Sequence, residues 1–75
     1  MKVLTTLGED RVRIKFNPSA NDTVTQLKQK AAEFIDLCET LRNQGSADKE
    51  HQRLWALAQT HAEDAAMWAV KAATF

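Results

Sequence analysis

Cysteine occurs once, at Cys38, so no disulfide can close within the chain, and a reducing compartment fits that usage. Cys38, His51 and His61 are the only soft metal ligands, and they lack the paired spacing of a zinc finger. Glycine occurs twice and proline once, which leaves no glycine-rich phosphate loop and no nucleophile elbow. After "HAED" no second histidine follows at the spacing of a zinc protease. Catalysis is therefore not expected, and neither a metal nor a cofactor is. No apolar run approaches the roughly 20 residues of a membrane span, and the opening "MKVLTTLGED" has no apolar stretch of signal-peptide length. The 10 basic and 10 acidic residues cancel, so the chain lacks the net basic surface that long nucleic acid requires. These absences describe a soluble intracellular protein that neither spans a membrane nor holds a polymer by charge. Internal repeats and low-complexity segments are absent too.

What is present is a short chain rich in apolar residues. At 75 residues it is one domain at most, and a domain of this size buries only about 60% of its unfolded surface. Small domains need a staple. With disulfide and metal set aside, self-association remains. The C-terminal "DAAMWAVKAATF" makes the same point: after Asp64 it carries one charge, Lys71, and has no glycine or proline to stop it.

Periodicity divides the chain into a β segment over 1–16, a loop over 17–22, a helix over 23–44 and a second helix over 47–73. "RVRIKF" alternates strictly: Arg11, Arg13 and Lys15 face one way, Val12, Ile14 and Phe16 the other, as in a half-buried strand. "GED" supplies a turn with Gly8 free to take positive φ, so a β-hairpin is predicted. "NPSAND" reads as loop, with Pro18 pushing Asn17 toward extended geometry. The first helix is predicted to start at Thr23 as N-cap, with Gln26 at capping-box spacing. Its apolar stripe is Val24, Leu27, Ala31, Phe34, Cys38 and Leu41. Ser46 or Asp48 caps the second helix, whose stripe is Leu54, Ala58, His61, Ala65, Trp68 and Ala72. The short "GSAD" link makes the two helices antiparallel neighbours. The predicted class is α+β, mostly α: a short N-terminal β-hairpin or extended strand, then a long antiparallel αα-hairpin, assembled as a homo-oligomer. Trp55, Leu57, Ala62, Ala66, Met67, Ala69, Val70 and Ala73 lie off the second stripe, which implies that a further copy covers them.

Several residues carry candidate chemistry. Arg11, Arg13 and Lys15 form either a phosphate clamp, since guanidinium forks match phosphate oxygens, or a solvated strand face that discourages edge pairing. Arg53, Thr60, Glu63, Met67 and Lys71 share a second stripe on the C-terminal helix. Lys71, on an otherwise apolar turn, either meets an anion or reaches water along its alkyl stem. Trp55 and Trp68 point to different faces; Trp68 reads as core, Trp55 as an interface or stacking residue. His61 reads as a hydrogen-bonded core histidine, His51 as solvated, and Cys38 as a buried inert thiol.

"RVRIKFNPS", "TVTQLKQKAAEFIDL" and "ALAQTHAEDAAMWAVKAAT" together resemble the hairpin-domain sponges of bacteriophages, the anti-CBASS and anti-Thoeris proteins that sequester cyclic nucleotide immune signals. The likeness spans roughly residues 11–74, with "EDAAMWAVKAAT" its most specific piece and the "FNPS" loop next. It implies a symmetric homo-oligomer, a hexamer, acting in the cytoplasm of the infected bacterium. It also implies pockets between subunits that bind their ligands and release them intact. The implied ligands are glycocyclic ADP-ribose, cyclic dinucleotides or cyclic trinucleotides. On this resemblance Arg11, Arg13, Lys28 and Lys71 are the candidates for phosphate or pyrophosphate. Asn17, Thr60 and Glu63 are candidates for ribose or base edges, and Trp55 or Phe16 for stacking on a base. The competing class is a helical protein-interaction module, docking on a host protein through its apolar helix face. A regulatory DNA-binding role is a weaker third reading, opposed by the zero net charge.

Overall fold

The structure is a computed structural model, and it describes residues 5–17 and 20–75. Three helices follow one another: α1 over Leu7–Arg11, α2 over Asp22–Gln44 and α3 over Lys49–Ala73. Among the described residues there is no strand. The predicted α+β class is thus corrected to an all-helical one, with a short helix and turn in place of the β-hairpin over the described part of its span; residues 1–4 of the predicted β segment, like Pro18, lie outside the described residues.

The reason is local and lies in "TLGE". Thr6 is an N-cap whose Oγ1 accepts from Glu9 N at 3.1 Å, while Thr6 N donates back to Glu9 Oε1 at 3.0 Å. This reciprocal capping box satisfies two donors that a strand could satisfy only with a partner. The helix then ends in a Schellman turn: Ile14 N donates to the Glu9 carbonyl at 3.0 Å and Arg13 N to that of Asp10 at 3.2 Å. Arg13 occupies the left-handed position of that turn, with φ of 56°. Chain reversal, rather than pleating, brings Val12 and Ile14 against α2 while Arg11 and Arg13 stay outside. Phe16, predicted to face inward, is 59% exposed. Gly8 has no positive φ. Its use is close approach: a Cβ there would lie 2.1 Å from the Ala32 carbonyl oxygen of α2.

Helix α2 is capped by Asn21, two residues before the expected Thr23: Asn21 Oδ1 accepts from Thr23 N at 2.8 Å and Val24 N at 3.2 Å. Asn beats Thr here because its carbonyl reaches both orphan donors at once. Helix α3 packs antiparallel to α2. Arg42 Nε donates to Gln52 Oε1 at 2.6 Å beside the connection, and Gln59 Nε2 donates to the Ile35 carbonyl at 3.3 Å further along. Gln52 Nε2 also donates to the Arg42 and Ser46 carbonyls at 3.2 and 3.0 Å, closing the C-terminal end of α2.

The buried face of α2 is Val24, Lys28, Ala32, Ile35 and Cys38, and that of α3 is Gln59 and Ala66. Val24 and Cys38 belong to the predicted stripe. Elsewhere the buried face is turned about 100°, one residue, from it. Phe34, Leu41, Leu54 and Trp68 are exposed. Small side chains at Ala32, Ala62 and Ala66 form the seam and let the helices approach closely, while the larger apolar groups are left outside.

Ala20 is a second non-glycine residue in the left-handed region, with φ of 51°. Relief of the Cβ clash outweighs the entropy glycine adds to the unfolded chain. Ala20→Gly is therefore expected to raise stability by about 0.5–1 kcal/mol, read as a shift in the denaturant midpoint at unchanged slope. A lower midpoint would mean that the methyl group makes a contact worth more than the strain.

Candidate functional site

The turn after α1 and the middle of α3 flank an open-sided cavity of about 620 Å³. Arg11, Val12, Arg13 and Phe16 form one wall, Lys28 of α2 lies on the boundary, and Thr60, Glu63, Asp64 and Met67 of α3 form the wall opposite. His61, Ala66 and Val70 complete the lining. The Schellman turn positions the first wall, because it throws both arginines away from α2 while Val12 anchors the segment in the core.

Lys28 holds that wall in place. It is 6% exposed, and its ammonium donates to the Arg13 carbonyl at 2.9 Å and to the Phe16 carbonyl. Those oxygens bracket the segment that carries the guanidinium and the aromatic ring. Burial pushes the Lys28 amine below the ordinary lysine range, and the neighbouring Arg13 charge pushes the same way. Two charge-assisted hydrogen bonds offset part of that desolvation cost. Two of the ammonium's three donors are thus spent on backbone.

The Phe16 ring has two cations near it: the Arg13 guanidinium carbon is 5.5 Å from its centroid and Lys28 Nζ is 5.4 Å from it. A planar guanidinium against an aromatic ring is a surface on which a flat heterocycle stacks. Across the cavity, Arg11 Nη1 meets Glu63 Oε1 at 3.4 Å, an ion pair joining α1 to α3. The cations thus come from the N-terminal segment and α2, the carboxylates of Glu63 and Asp64 from α3, and the two sets meet where Arg11 pairs with Glu63. Such an arrangement accepts a ligand that is anionic at one end and rich in hydrogen-bond donors at the other.

The candidates from the sequence divide by position. Arg11, Arg13, Phe16, Lys28, Thr60 and Glu63 line this cavity; Asn17, Trp55 and Lys71 do not. Asn17 is a clamp instead. Its amide donates to the Asn21 carbonyl and to Thr25 Oγ1, each at 2.9 Å, and its Oδ1 accepts from Asn21 N at 3.1 Å. Trp55 lies edge-on to His51 with centroids 6.1 Å apart, its indole nitrogen buried without a partner among the described residues. Lys71 Nζ sits over the Trp68 ring at 5.1 Å, and both side chains are exposed. His61 is exposed rather than core. Cys38 is buried, and burial pushes its thiol up, away from thiolate chemistry. Asp64 and Met67, which line the cavity, are not among the ligand-binding candidates from the sequence. Their signal was available: Thr60, Glu63 or Asp64, and Met67 recur at helical spacing.

Residues 9–74 match the family described as Acb2/Tad1, hairpin domain. The chain belongs to this family, the phage anti-CBASS and anti-Thoeris cyclic-nucleotide sponges. None of the curated proteins and none of the solved structures matches the chain. The matched region of the hairpin domain begins in α1 and takes in the turn, the cavity and both long helices. The family's work is phage anti-defence through cyclic nucleotide binding, and it is a binding family rather than an enzyme family. Among the described residues no helix is long and apolar enough to cross a membrane.

Proposed function

We propose that this protein sequesters an intact cyclic nucleotide immune messenger inside the infected bacterial cell and so denies it to a host defence effector. The observation that carries the reading is Arg13. A left-handed turn position favours glycine, because any Cβ there costs about 1–2 kcal/mol. This chain keeps an arginine at that position, with its side chain lining the cavity beside Arg11 and Phe16. Strain retained at a cavity wall supports a role for that side chain in recognition. Arg11 and Arg13 meet phosphates, with Lys28 ordering them and offering its remaining donor. Phe16 stacks on a base, and Thr60 and Glu63 meet ribose or base edges. Sequestration needs stoichiometric binding with slow release, and no group has to act as a catalyst.

Association of copies belongs to the same reading. The Cα framework measures 42 × 32 × 13 Å, which is a single layer of helices, whereas stable cores lie between layers. Phe34, Leu37, Leu41, Leu54, Leu57 and Trp68 are exposed on that layer. A second copy covers them at the lowest cost, and a hexamer is the assembly we infer. The same residues give the alternative, docking on a host protein, its one specific support.

The test is calorimetric titration with glycocyclic ADP-ribose, a cyclic dinucleotide and a cyclic trinucleotide, followed by denaturation and chromatography of the released ligand. Micromolar or tighter binding of at least one, recovered unaltered, is the expected result. Failure of all three at micromolar protein ends the reading, and recovery of a cleaved product ends the claim of sequestration. Native mass spectrometry of the same samples distinguishes a closed homo-oligomer from a monomer with an open face.

A further inference from the structure

We propose that Glu63 sets the specificity of the cavity by competing for Arg11, so that ligands which are only anionic are rejected. The Arg11–Glu63 ion pair at 3.4 Å is a contact between segments 52 residues apart, and both partners line the cavity. Both are partly exposed, 37% and 44% at the side chain, so the pair is weak enough for a ligand to displace. A bare phosphate group approaching Arg11 must break that pair. It then lies beside a freed carboxylate of its own sign, with only a residual P–OH to offer it. A nucleotide brings hydroxyl and N–H donors along with its phosphate, and the freed carboxylate accepts them. The cavity thus discriminates between a phosphate joined to a donor-rich ring system and the simple phosphates of the same charge.

The inference rests on the proposed function only for the nucleotide arm of its test; the pyrophosphate arm stands alone. Inorganic pyrophosphate and a cyclic purine dinucleotide are titrated separately into the intact protein and its Glu63→Gln variant. The substitution changes a partly exposed helical side chain to one of similar size and helix propensity, and a thermal melt checks the fold. Removing one like charge at this range is expected to tighten pyrophosphate binding about fivefold to tenfold. Dinucleotide binding is expected to stay level or weaken. Adding Arg11→Gln to the variant is expected to abolish the gain, because Arg11 is the partner released. Pyrophosphate bound no more tightly by Glu63→Gln than by the wild type, or a gain that survives Arg11→Gln, overturns the inference. If the dinucleotide fails to bind while the pyrophosphate gain appears, a cyclic dinucleotide is not the ligand and the competition between Glu63 and pyrophosphate stands.

Discussion

Gly8→Ala is expected to lower stability by about 3 kcal/mol, a fall of roughly 12–24 °C in melting temperature for a domain of this size. The new Cβ would sit 2.1 Å from the Ala32 oxygen, 2.7 Å from its carbonyl carbon and 2.8 Å from its Cα. All three are backbone atoms in the middle of a 23-residue helix, so α2 cannot yield as a side chain would, and α1 must lift. Lifting α1 breaks the hydrogen bond from Gly8 N to Asp36 Oδ1 at 2.7 Å and withdraws Val12 and Ile14 from Ala32 and Ile35. Intrinsic preference acts the other way, since alanine is the better helix former by about 1 kcal/mol. The overlap and the lost charge-assisted bond together come to about 4 kcal/mol, about four times that gain. Far-UV dichroism should change little, because α1 is five residues long; the melt and amide exchange at residues 7–16 should change greatly. A melting point within a few degrees of the wild type would show that α1 is not packed against α2 as described.

Arg13→Gly is expected to separate binding from stability. Glycine removes the left-handed strain, about 1–2 kcal/mol, and ends the repulsion that Arg13 exerts on the buried Lys28 ammonium. Against this stand the added freedom of the unfolded chain, about 0.4–1 kcal/mol, and the lost contact with Phe16, about 0.5–1 kcal/mol at an exposed ring. Stability should therefore stay level or rise slightly. Affinity for the cyclic nucleotide should fall about tenfold to a hundredfold, the range of one charge-assisted hydrogen bond at about 1.5–3 kcal/mol. Calorimetry and a melt on one preparation read both. Unchanged affinity removes Arg13 from recognition, and a melting point lowered by many degrees makes its guanidinium a structural group.

These two residues also show where sequence reasoning stops. From sequence Gly8 is a special backbone position, expected in a turn with positive φ. The actual need, room for a carbonyl of α2, comes from a residue 24 positions away. Arg13 is a phosphate candidate by its place on an alternating face. That alternation is real in which side chains turn inward at 11–14, yet a Schellman turn produces it, and over so few residues the two geometries write the same pattern. The overlooked clue was Thr6 with Glu9, a capping box at the same spacing as the one assigned to Thr23 and Gln26. In sequence Lys28 is a cation available to a ligand; its burial against the Arg13 and Phe16 carbonyls depends on where the N-terminal segment lands.

Local signals were enough for the two long helices, their short connection and hence their antiparallel packing, because caps, periodicity and link length act within a few residues of the chain. The balance of charge was equally plain, being a matter of counting. Which face of each helix turns inward was decided only by the tertiary structure. Both helices carry apolar residues on more than one face, and the choice falls to steric fit: the alanines at 32, 62 and 66 allow a close seam that Phe34 and Trp68 would hold apart. The same fit folds the N-terminal segment over α2, and it brings two arginines, a phenylalanine and a glutamate from distant parts of the chain around one cavity.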